Sequence, residues 1–207
     1  HILAVSGLHV GIIYFILLAF LRPFKNLFKH ELIISIIMVI SLWGFAFLTG
    51  LSPSVIRAVT MFSFFAFAKA INRETNGINT LFLSYFILLI INPLWLFYVG
   101  FQLSYLAVFF ILWLLPLFNK IYYPKNYFVK KIWDIFTVTL AAQLGIIPLS
   151  IYYFHQFPGL FFITNLIILP FLGILLGAGI ILIFLSMFNI LPDWFALSYN
   201  FLIKLMN

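Results

Sequence analysis

The chain has 207 residues, of which 66% are hydrophobic, 21% aromatic and only 7% charged. A soluble domain carries about 25% charge, so no water-facing shell can be assembled here and the outer surface must itself be apolar, as in an integral membrane protein. The absence of cysteine excludes disulfides, thiolate catalysis and Cys-based metal sites, while a net charge of +7 could reflect either nucleic-acid binding or membrane orientation.

About 20 apolar residues of helix cross the hydrocarbon layer. Residues 2–21, 32–51, 55–71, 80–98, 100–118 and 132–154 meet that standard. A seventh region, 160–188, carries Pro170 and reads either as a re-entrant segment near 160–170 or as one kinked, tilted helix. The tail from Asp193 would begin another span. The expected fold is all-α, a polytopic transmembrane helical bundle with about seven or eight spans, some broken by Pro93, Pro116, Pro148 and Pro170. No repeat or linker divides it, so residues 1–207 read as one membrane domain. The chain begins on a span without an initiator methionine and ends in an apolar stretch. It is therefore expected to be part of something longer, and its basic residues follow the first apolar run, unlike those of a signal peptide.

Nine of the eleven basic residues fall on alternate connections: Arg22, Lys25 and Lys29; Lys69 and Arg73; Lys120, Lys125, Lys130 and Lys131. That pattern makes their side cytoplasmic and puts the residue-1 end outside. The +7 is then largely a topology signal.

With this orientation the intramembrane polar groups gather toward one depth. Ser6 and His9 share a face of the first span, Arg57 opens the third, and Asn92 lies in the outer part of the fourth. Gln102 and Ser104 open the fifth, Gln143 is within the sixth, and His155 and Asn165 lie about the outer boundary. Each would cost free energy in lipid unless paired or wetted, so their convergence predicts a shared polar cavity opening outward. For any one of them, a hydrogen bond to a neighbouring helix is the competing explanation. In GLSPSVIRAVTM, Ser52 suits an N-cap and Pro53 the first helical position. Arg57 then stands near the positive end of the helix dipole, where a cation is locally disfavoured, and with Ser52 and Ser54 beside it forms a candidate phosphate site. The alternative is that Arg57 snorkels to head groups. Gly7 with Gly11, Gly173 with Gly177, and the pairs Ala66–Ala70 and Ala141–Gly145 have the spacing of close helix contacts.

Four stretches, HILAVSGLHVG, GLSPSVIRAVTM, NPLWLFYVGFQLSYLAV and AAQLGIIPLSIYYFHQFPGLFFITNLIILP, closely resemble the transmembrane competence domain of the ComEC family. These are membrane channel proteins for DNA uptake in bacterial transformation. Tyr105 stands where the family pattern leads one to expect phenylalanine. The resemblance implies a multi-pass domain of the bacterial cytoplasmic membrane that passes single-stranded DNA inward and works with other competence-machinery proteins in the lipid bilayer. It also implies that Ser6, His9, Arg57, Asn92, Gln102, Gln143 and Asn165 belong to the family signature. Full-length members carry a soluble domain before the spans and a metallo-β-lactamase-like domain after them. No catalytic residue, metal site or cofactor is assigned to this chain. Two other functions compete: a small-solute transporter with broken helices, and an intramembrane serine hydrolase using Ser6 or Ser54 with His9 or His155.

Overall fold

Asparagine and proline decide where this chain changes from one helix to the next. The computed structural model describes residues 7–23, 31–122, 124–155, 171, 175, 177–179, 181, 182, 185, 186, 188 and 192–206, and every regular element among them is helical. These are α1 (Gly7–Leu21), α2 (Glu31–Leu48), α3 (Pro53–Ala70), α4 (Gly77–Ile91), a 3-10 turn (Pro93–Phe97), α5 (Val99–Ile121), α6 (Tyr127–Phe154) and α7 (Asp193–Met206). Among the described residues, α2, α5 and α6 are long and apolar enough to cross a membrane, and α1 and α4 are shorter apolar helices.

The fourth expected span, 80–98, is interrupted. Proline lacks an N–H and drives the residue before it out of the helical region. Asn92 accordingly turns extended (φ −149°, ψ 99°), and its side chain accepts a hydrogen bond from the Leu94 N–H to start the 3-10 turn. Pro116 and Pro148, expected to break helices, instead sit inside the continuous α5 and α6. Two starts lie earlier than apolarity places them, because Asn76 and Asn126 cap α4 and α6 by accepting from Ile78 and Phe128 N–H groups. At 28 residues α6 is about 42 Å long, enough to carry Lys130 and Lys131 beyond an apolar layer of about 30 Å. Most of 160–188, with Pro170, lies outside the described residues.

Helix α2 ends in a Schellman arrangement. The Leu51 N–H reaches the Ala46 carbonyl at 2.9 Å, the Gly50 N–H reaches the Phe47 carbonyl at 3.2 Å, and Gly50 takes φ 78°. Leu51 itself is left-handed at φ 52°, and its side chain packs against apolar clusters on both flanks of α3. Ser52 and Pro53 then open α3 as expected, although the Ser52 hydroxyl makes no capping bond and lies 3.4 Å from the Ser54 hydroxyl. Helix α3 contacts α1, α2, α4 and α5, and its residues 55–61 are buried without a gap. One cluster joins it to α1 and α2, a second to α4 and α5. Helix α6 packs chiefly along α5.

The described residues form two compact units, one containing α1–α6 and one containing the C-terminal residues with α7. Within the latter, the Tyr199 hydroxyl donates to the Leu175 carbonyl at 3.4 Å and covers Gly179.

Candidate transport site: a buried arginine beside an aromatic cleft

Arg57 lies one turn into α3 and is 7% exposed. Its Nε donates to the Ser104 hydroxyl on α5, its Nη1 donates to the Met61 sulfur at 3.4 Å, and its guanidinium carbon stands 5.9 Å from the centre of the Tyr105 ring. No carboxylate among the described residues pairs with it. On the α1 side, a Cβ placed on Gly7 would meet Arg57 Nη2 at 2.6 Å, so glycine there leaves the guanidinium its present position. Gly11, one turn on, faces the Phe62 ring. Arg57 therefore ties α1, α3 and α5 together through neutral partners. Two of its five N–H groups have acceptors among the described residues, which leaves capacity for an oxyanion.

Tyr105 forms the wall between this arginine and a cavity of about 520 Å³. Its hydroxyl lies 3.0 Å from the Ser84 hydroxyl on α4, which in turn donates to the Leu81 carbonyl. On the cavity side Tyr105 is joined by Phe82, Tyr85, Phe101, Phe109 and Tyr153, drawn from α4, α5 and α6. The rings touch in tilted and edge-on pairs, with Phe101 and Tyr105 at 4.6 Å and Tyr85 and Tyr105 at 5.0 Å. Gln102 supplies the amide of the lining, and its Nε2 donates to the Leu96 carbonyl of the 3-10 turn at 2.8 Å.

The remaining candidates are placed as follows. Asn92 is occupied as the helix cap described above. Gln143 is half-buried on α6, and His155 is an exposed left-handed C-cap (φ 53°) at the end of the same helix. His9 is half-buried on α1. Ser6, Asn165 and Gly173 lie outside the described residues, and a Cβ on Gly177 would meet nothing within 4 Å. The structure thus brings Gly7, Arg57 and Ser104 together and sets Gln102 in the aromatic cleft. Asn92, Gln143 and His155 line none of the cavities described. Sequence reasoning missed the cleft. Its signal was present in α5, where Phe101, Tyr105, Phe109 and Trp113 recur every fourth residue and so share a face.

A family model described as "Competence protein" matches residues 1–207. The chain is also 31% identical over 211 residues to "ComE operon protein 3" of Bacillus subtilis (strain 168). That match covers 94% of this chain and 25% of the relative, so the chain spans about a quarter of that protein's length. No solved structure matches. Matched from end to end by the family's model, and over 94% of its length by a relative named for the ComE operon, the chain belongs to the competence protein family.

Proposed function

We propose that this chain is a multi-pass channel domain of the bacterial cytoplasmic membrane, with seven or eight spans, through which single-stranded DNA passes inward during transformation. The observation that carries this reading is the aromatic cleft beside the buried arginine. Every base has a π-face, so aromatic walls hold a passing strand by stacking without choosing its sequence, at about 1–3 kcal/mol per base. The six rings and Gln102 fit that role. Arg57, behind Tyr105, supplies positive charge that a phosphate could meet through its unused N–H groups, and Ser52 and Ser54 stand at the start of the same helix. Ser6, His9, Asn92, Gln143, His155 and Asn165 complete the proposed polar path. The other competence-machinery proteins would deliver the strand, since one arginine is a weak funnel for a polyanion.

The test uses rings that line the cleft without belonging to the core. Phe82 is 56% exposed and Tyr153 39% exposed. Replacing both, as Phe82→Leu with Tyr153→Leu, removes two stacking surfaces. The expected result is at least a tenfold fall in entry of labelled single-stranded DNA into competent cells, with membrane abundance unchanged. Unchanged entry would remove the cleft from the path.

A further inference from the structure

Two further cavities lie at the ends of α1 and α3, where Lys69 is in the last turn of α3 and Arg22 and Arg73 fall just beyond the two helices. One, of about 400 Å³, lies among α1, α2 and α3 and is lined by Tyr14, Leu18, Arg22, Ile34, Met38 and Lys69, with Glu31 on its wall. The other, of about 630 Å³, is lined by Tyr14, Phe15, Phe62, Lys69 and Arg73, with Glu74 on its wall. Tyr14 and Lys69 line both. Each cavity has two cations and one carboxylate, a net charge of +1.

Tyr14 is 8% exposed and its ring stacks on Phe62 at 4.8 Å, yet its hydroxyl has no hydrogen-bond partner among the described residues. Tyr14 lines both cavities and its hydroxyl is accessible in them, so a molecule bound there can accept its proton in a hydrogen bond. Eight residues separate Tyr14 from Arg22, about 12 Å along the helix. The cavity therefore offers cations at its rim, a donor part-way in and aliphatic walls from Leu18, Ile34 and Met38. Only an amphiphile with an anionic head matches all three.

We propose that these cavities bind an acidic glycerophospholipid. Its phosphate sits between Lys69 and Arg22 or Arg73, an ester carbonyl accepts from the Tyr14 hydroxyl, and its acyl chains follow the apolar walls. With the orientation given above, the lipid comes from the cytoplasmic leaflet. The assignment requires a membrane protein but not a DNA channel.

Native mass spectrometry of the full chain, released from detergent after incubation with dioleoylphosphatidylglycerol or dioleoylphosphatidylcholine, tests it. The wild-type chain should retain phosphatidylglycerol at least fivefold better than phosphatidylcholine. Lys69→Gln, at an exposed position shared by both cavities, should lower phosphatidylglycerol retention about fivefold. Tyr14→Phe should lower retention of both lipids with unchanged far-ultraviolet circular dichroism. Equal retention by wild type, Lys69→Gln and Tyr14→Phe overturns the proposal. So does displacement of bound lipid by a single-stranded 20-mer oligonucleotide that requires Lys69, which would assign the cations to nucleic acid instead. A failure here leaves the cleft variants' DNA entry unaffected, and the converse holds.

Discussion

At Arg57 a buried cation is held by a hydroxyl, a thioether and an aromatic face, with no carboxylate among the described residues. A hydrogen bond to a charged group contributes about 1.5–3 kcal/mol. Ser104→Ala should therefore destabilise the chain by about 2 kcal/mol, read from equilibrium unfolding in a sodium dodecyl sulfate titration followed by circular dichroism. Gly7→Ala should lower stability by a smaller amount, about 1 kcal/mol, because the clashing Nη2 is a side-chain end that can shift at the expense of its bond to Ser104. A Ser104→Ala variant as stable as wild type would show that the guanidinium rests on the ring and sulfur alone. In the sequence, the position of Arg57 one turn past Ser52-Pro53 was legible, because cap and proline signals are local. Its partners were not. Ser104 is 47 residues away, and neither hydropathy nor spacing couples it to Arg57.

Where α5 and α6 meet, glycine sets how near one helix comes to the backbone of the other. A Cβ on Gly145 would stand 2.9 Å from the Leu106 backbone carbonyl and 2.9 Å from the Phe110 ring. Backbone cannot swing aside as a side chain can, so Gly145→Ala must push the two helices apart. It should cost about 1–3 kcal/mol in the same unfolding titration, more than Gly7→Ala. An equal or smaller cost would mean that α6 slides along α5 without loss. Small-residue spacing marked this contact, the one at Gly7 and Gly11, and the one at Ala66, whose carbonyl accepts from the Ser35 hydroxyl at 2.8 Å. It also marked Gly177, where a Cβ would meet nothing. The spacing says that a backbone can come close, not that one does. Helix ends were read less well than helix existence, because Asn76 and Asn126 start α4 and α6 in polar sequence that apolarity scores as loop.

For the whole molecule the alternation of basic loops predicts two faces. The chain contains no cysteine, so single introduced thiols can report them without background. Thr75→Cys, between α3 and α4, should resist a membrane-impermeant maleimide added to intact spheroplasts, and His155→Cys should react at once. Labelling of Thr75→Cys from outside would reverse the orientation. Overall class and helical content were legible because composition leaves no alternative to burial in lipid. The aromatic cleft was not, since it is assembled from three helices whose mutual rotation no single stretch encodes.

The helix most enclosed by its neighbours is also one that is not apolar enough to count as a span by itself. Helix α3 has Arg57, Thr60, Ser63 and Lys69 along its length and is not among the three that qualify. Left alone at the translocon it would be a poor candidate for partition into lipid. The tight Gly50-Leu51 corner delivers it together with α2, whose buried face can shield it during synthesis. Biogenesis of this domain should thus proceed by hairpins, and a nascent chain arrested just after Ala70 would need its α2 partner to stay in the bilayer.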